Sequence, residues 1–213
     1  MRPFHERLAR IGLAATQQFG FVLAGGYAVS ANGMGDRLSE DVDLFTNLPG
    51  TDDFSRAVDA VQDAYRRSGL EVAVVRRGPT FLDLIVSDAA EGESSSIQLG
   101  LDYREFPPAQ LEIGPVLDVK DAVANKMTAL YSRGECRDFI DIDLVHESGR
   151  FTRDEILALG DGREVEPMDR QVLAARFREA GRHSAARYAG YGVDDARRSL
   201  LVGRFEDWAW SLS

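Results

Sequence analysis

Asp41 and Asp43 stand one residue apart in the run Arg37-Leu-Ser-Glu-Asp-Val-Asp-Leu-Phe45. Their apolar neighbours Val42 and Leu44 make the segment a strand, and strand side chains alternate between faces, so both carboxylates project to one side. Held roughly 6–7 Å apart, two such charges repel unless a cation lies between them. Hard oxygen ligands at that spacing suit Mg²⁺ or Mn²⁺, the ions that triphosphate chemistry uses. The pair does not open an EF-hand loop, because Phe45 and Thr46 stand where that loop needs an oxygen ligand and a glycine. Two solvated acids on an edge strand are the alternative reading.

Fifteen residues before Asp41, the apolar run Phe21-Val-Leu-Ala ends at Gly25-Gly26 and helical spacing begins. Backbone N–H groups at such a helix start can approach a phosphate closely. The next glycines, Gly33 and Gly35, do not give G-x-G-x-x-G spacing, and no G-x-x-x-x-G-K-[ST] occurs. A plain helix start is the alternative here.

The elements around these residues form two groups. In the first, periodicity predicts helices at 6–20, 27–32 and 54–68 and strands at 21–24, 41–46, 70–76, 81–87 and 97–102, with a polar hairpin or loop at 91–96. In the second, helical spacing runs through 119–132, 140–147, 153–159, 169–188 and 194–211. The fold class is α/β (α+β). The boundary falls in the Pro/Gly-containing stretch 107–117, giving a core at 1–112 and a helical subdomain at 113–213.

With 213 residues, 44% of them hydrophobic, the chain can bury a sizeable core. No run approaches the roughly 18 apolar residues that span a membrane, and Arg2 to Gln18 reads as a polar helix rather than a signal peptide, so a cytoplasmic protein is expected. The single cysteine, Cys136, leaves no intramolecular disulfide and no Cys-based zinc site. Cys136 reads as a small helix residue, and His5, His146 and His183 as surface or boundary residues without ligand spacing. Trp208 and Trp210 read as packed in a final helix. A net charge of −10 argues against nonspecific coating of nucleic acid. One segment runs the other way: from Arg170 to Arg204, eight arginines stand against three acids.

Together, Phe21-Val-Leu-Ala-Gly-Gly-Tyr-Ala-Val29, the Asp41-x-Asp43 run, Gly114-Pro115-Val-Leu117, Asp121-Ala-Val-Ala-Asn-Lys-Met-Thr-Ala-Leu-Tyr-Ser-Arg133 and Arg137-Asp138-Phe-Ile-Asp141 resemble the AbiEii/MenT branch of the nucleotidyltransferase superfamily. The resemblance covers most of residues 20–145. It implies a polymerase-β-like nucleotidyltransferase core with a mixed sheet, followed by a C-terminal helical subdomain that completes the active site. It also implies a toxin of a toxin-antitoxin pair, with an antitoxin encoded nearby. Such an enzyme moves a nucleotide monophosphate from an NTP, with Mg²⁺ (or Mn²⁺), to an RNA acceptor. The tRNA 3′ end is the acceptor expected, and its extension would block aminoacylation and hence translation.

Residue by residue, the resemblance makes Asp41 and Asp43 the metal pair and Gly25-Gly26 the turn facing the triphosphate. Lys126 and Asp141 become the helical basic and acidic site residues. Arg37 and Ser39 are candidate nucleotide contacts, and Arg178 and Arg182 candidate RNA contacts from the arginine-rich segment. The chain departs from the superfamily pattern where a third strand carboxylate is usual, since that slot reads Gln98; either Asp141 substitutes, or two protein ligands and phosphates suffice. An uninterrupted helix would hold Lys126 and Asp141 about 22 Å apart; a break at Gly134 lets two helices fold back and bring them together. Transfer to a small molecule or protein side chain, and NTP or RNA binding without chemistry, are the competing readings.

Overall fold

The computed structural model describes residues 1–212 apart from Asp36, Leu38, Leu48, Pro49 and Glu164. The chain divides into two compact units, Met1–Asn32 with Ser39–Val119, and Gly33–Leu38 with Lys120–Ser213. Among the described residues no helix is long and apolar enough to cross a membrane.

In the first unit, Pro3 sits at the start of helix α1 (Pro3–Ala15), where its missing N–H costs nothing. Strand β1 (Val22–Leu23) leads into helix α2 (Gly25–Ala31), and strand β2 (Asp41–Thr46) follows. Helix α3 (Thr51–Arg67) precedes strands β3 (Glu71–Arg77), β4 (Phe81–Asp88), β5 (Glu93–Leu101), β6 (Ala109–Leu111) and β7 (Gly114–Val116). The strands form one mixed sheet in the order β3-β4-β5-β2-β1-β7-β6, with β2 parallel to β5 and β1 parallel to β7.

Alternation decides which face is buried. Val42, Leu44, Leu82, Leu84, Val86, Ile97 and Leu99 are at most 1% exposed, and each such aliphatic contributes about 1.5–3 kcal/mol. Gly12 lets α1 close on this layer: a Cβ there would stand 2.5 Å from Leu44 Cδ1. The buried Tyr65 hydroxyl of α3 donates to the Leu8 carbonyl at 3.0 Å, satisfying a polar atom that would otherwise be costly to bury.

Two expectations change. The polar 91–96 stretch is mostly strand: β5 begins at Glu93 and pairs Ser94 with Ser87 and Ser95 with Val86. The turn before it is held by Asp88 Oδ1, which accepts from the N–H groups of Ala90 and Glu91. Cross-strand pairing and turn chemistry, rather than hydrophobic periodicity, make this hairpin. The 107–117 stretch likewise holds β6 and β7, which extend the first unit's sheet.

The second unit contains helices α4 (Val119–Ser132), α5 (Cys136–Glu147), α6 (Arg153–Asp161), α7 (Arg170–Arg178), α8 (Ala185–Ala189) and α9 (Asp195–Ser211). The single helix expected over 169–188 is broken by a 3-10 turn at Glu179–Arg182, after which Ser184 caps α8 by accepting from Arg187 N. Phe139, Phe177, Phe205 and Trp208 form its aromatic core, with neighbouring rings 5.1–5.7 Å apart. Trp208 is buried, but Trp210 is 81% exposed rather than packed.

Candidate functional site

The first unit gathers the acidic residues. β2 places Asp41 and Asp43 on the sheet face opposite the aliphatic layer, and Asp43 is buried. Ser39 Oγ donates to Asp41 Oδ1 at 2.9 Å, so the candidate nucleotide contact is a partner of the metal candidate. In the sheet register Asp43 lies directly beside Gln98, which lies beside Asp83 on β4. An amide thus stands where a third carboxylate would complete the set, and Asp83 pairs with Arg76 at 2.8 Å. Among the described residues no three His, Cys, Asp or Glu side chains gather closely enough to hold a metal.

Gly25 and Gly26 begin α2 beside this pair. Gly25 has φ +60°, and a Cβ there would lie 1.7 Å from Asp43 Oδ2. Ala24 N donates to the Asp43 carbonyl at 2.9 Å, tying the turn to the strand. The first N–H groups of a helix have no intrahelical acceptor, and Ala24 in the cap position has no side chain that could serve as one. The donor set fits a divalent ion: two hard carboxylates on one face, beside a helix start whose backbone N–H groups suit a phosphate able to supply further oxygens.

Close by in the same unit, His5 is buried and hydrogen-bonded to Tyr27 at 2.7 Å and Ser95 at 2.9 Å. Burial, reinforced by the Arg2 charge, lowers its pKa to about 4. His5 is therefore a core residue rather than a surface one; nothing in the sequence spacing marks it.

The second unit gathers the cations. Gly134, at φ +59°, ends α4 and turns the chain into α5. Lys126 Nζ reaches Asp141 Oδ2 at 2.9 Å, and Arg37 forks onto the same carboxylate through Nε–Oδ1 (2.7 Å) and Nη2–Oδ2 (3.0 Å). The side chains of Arg37, Lys126 and Asp141 are 4%, 9% and 2% exposed. Burial alone would raise the Asp141 pKa, but Lys126 and Arg37 outweigh it and hold the carboxyl below its usual range. A carboxylate so held is a weak base, and the triad keeps one net positive charge. Its Arg37 arm was not visible in sequence, because 104 residues separate it from Asp141.

Cys136 is buried, and burial raises its thiol pKa to about 11, which excludes a ready nucleophile. Most of the arginine-rich segment is engaged internally. Arg197 and Arg204 both bind the buried Asp143 and the exposed Glu147. Arg170 pairs with Asp161, and Arg176 and Arg182 with Glu179. Arg198 donates to the carbonyls of Gly181 and His183. Arg178 and Arg182 are exposed but do not share one continuous helix.

No curated protein is significantly similar in sequence. Among solved structures, MenT4, a nucleotidyltransferase toxin from Mycobacterium tuberculosis H37Rv, shares the fold at TM-score 0.61 and 19% identity, over 99% of this chain and 84% of that one. JHP933 from Helicobacter pylori does so at TM-score 0.58 and 16% identity, over 98% and 90%. Residues 8–198 match the family described as the AbiEii nucleotidyl transferase toxin of type IV toxin-antitoxin systems. That match takes in both the acidic strand and the cationic helices, and the chain belongs to the AbiEii nucleotidyltransferase toxin family.

Proposed function

We propose that this nucleotidyltransferase transfers a nucleotide monophosphate from an NTP to an RNA acceptor, the tRNA 3′ end, in a metal-dependent reaction that blocks translation. The observation carrying the reading is the pairing of Asp41 and Asp43 with the Gly25-Gly26 turn, so close that Gly25 leaves no room for a side chain beside Asp43. Asp41 and Asp43 hold the divalent ion, which when bound lowers the pKa of the acceptor hydroxyl and offsets phosphate charge. Ser39 orients Asp41. The backbone of Gly25-Gly26 binds and orients the triphosphate.

Lys126 neutralises the charge that builds on the departing pyrophosphate, aided by Arg37. Asp141 keeps both cations in place; its depressed basicity favours that positioning role over proton abstraction. A cognate antitoxin follows from the family. A second reading, transfer to a small molecule or protein side chain, is favoured by one observation: most arginines of the 170–204 segment already serve carboxylates or carbonyls of their own unit. Incubation of the purified protein with total RNA, Mg²⁺ and each labelled NTP tests the reading. Label in the tRNA fraction supports it; label confined to protein or small molecules overturns the RNA acceptor.

A further inference from the structure

Two arginines of the 170–204 segment rest on tyrosine rings: Arg198 over Tyr188, where it also donates to the carbonyls of Gly181 and His183, and Arg187. Arg187 on α8 is exposed, and its guanidinium rests over the ring of Tyr191, 5.3 Å from the centroid. No carboxylate pairs with it among the described residues. The same ring carries the Arg37 guanidinium at 5.4 Å, and Arg37 in turn is bonded to Asp141 and, through it, Lys126. A continuous cationic series therefore runs from the buried triad through Tyr191 to the surface of the second unit.

The backbone holds the ring in place. Tyr191 is 8% exposed and lies between Gly190 and Gly192, the latter at φ +79°. Tyr191 N and Val193 N both donate to the Tyr188 carbonyl, and Gly192 N donates to that of Ala189. An aromatic face fixes a guanidinium without neutralising it, whereas a carboxylate partner cancels its charge. Arg182, Arg197 and Arg204 are of the second kind. The Arg37, Lys126, Asp141 and Arg187 side chains together carry a net charge of about +2, so the available field at Arg187 attracts an anion.

We propose that Arg187, seated on Tyr191, is a phosphate-binding residue that contacts a backbone phosphate of the RNA acceptor. The proposal rests on the RNA reading above and names the residue that serves it. A guanidinium fork matches a phosphate's paired oxygens, and Arg187 stays exposed while its guanidinium rests on the buried ring.

The test compares wild type, Arg187→Ala, Arg187→Lys and Arg182→Ala in binding a short single-stranded RNA across a salt series, with NTP affinity measured alongside. Loss of one phosphate contact should weaken RNA binding by roughly fivefold near 0.1 M salt and reduce the salt slope by about 0.7. Arg187→Ala is expected to show both effects with NTP affinity unchanged, and Arg187→Lys to recover the slope. Arg182→Ala should have the smaller effect. Equal RNA binding by wild type and Arg187→Ala, or an equal or larger loss in Arg182→Ala, overturns this assignment while leaving the RNA acceptor standing. A matching loss of NTP affinity reassigns Arg187 to the nucleotide and overturns it as well. RNA binding absent from wild type overturns both the assignment and the acceptor.

Discussion

Gly25 and Asp43 are in such close contact that a methyl group on the Gly25 Cα would lie 1.7 Å from Asp43 Oδ2 and 2.6 Å from its Cγ. Gly25→Ala therefore does two separable things. It strains a left-handed residue by about 1–2 kcal/mol, and it displaces the carboxylate proposed to bind the metal. Gly33→Ala at φ +77°, with nothing within 4 Å, isolates the first effect. Thermal melts should fall in both variants and further in Gly25→Ala, whereas transfer activity should fall by roughly 100-fold or more only in Gly25→Ala. Equal activities would show that Gly25 serves the backbone turn alone.

Asp41→Asn and Asp43→Asn preserve side-chain shape while deleting the charge that binds the ion. Each is expected to keep a cooperative thermal transition and to lose activity by roughly 10²-fold or more at saturating Mg²⁺. Isothermal titration with Mn²⁺ in the presence of a non-hydrolysable NTP should show binding lost with the rate. Near wild-type turnover in either variant would remove that carboxylate from the metal assignment.

Members of the Lys126, Asp141 and Arg37 triad should respond differently to removal. Asp141→Asn leaves two buried cations without their anion, a loss of about 3–5 kcal/mol by denaturant titration. Lys126→Ala leaves the bidentate Arg37–Asp141 pair, so its stability loss should be the smaller and its turnover defect the dominant effect. Because the Asp141 pKa is lowered in the fold, its stabilisation is present above the unfolded value of about 3.9. It disappears as pH falls through the native value. The rate should therefore show no Asp141 titration between about pH 6 and 8.

His5 gives a second, milder window. With a native pKa of about 4 against 6.5 unfolded, the folded state excludes a proton that the unfolded chain accepts. Stability from this group is present above pH 6.5 and is lost progressively toward pH 4. Melting temperatures of wild type should decline across that interval more steeply than those of His5→Gln. Parallel declines would assign the acid sensitivity elsewhere.

Legibility in the sequence followed the range of the interaction concerned. The strand at 41–46 and the helix at 119–132 coincide with the observed elements, because alternating and helical spacing are local signals. Gly134 exposed the fold-back that brings Lys126 to Asp141, since one left-handed glycine marks a helix end. The hairpin at 91–96 is legible, but the start of β5 at Glu93 rather than 97 is not, because Ser94, Ser95 and Ser96 gain their place from partners on β4; the helix over 169–188 is overextended because a 3-10 turn keeps nearly helical spacing. Arg37's attachment to Asp141 and the burial of His5 depend on contacts across 104 and 90 residues. No window along the chain contains both partners.

The interleaving of the two units bears on how this family can diversify. Gly33–Leu38 belongs with the C-terminal helices although it is encoded ahead of the acidic strand. Recombination that exchanged everything after residue 119 for a homologous half would leave Arg37 behind, facing whatever residue the newcomer carried in place of Asp141. A donor without an acid there would inherit a buried orphan cation. Position 37 and position 141 are thus bound to descend as a linked pair, and functional chimaeras should be confined to donors that match at both.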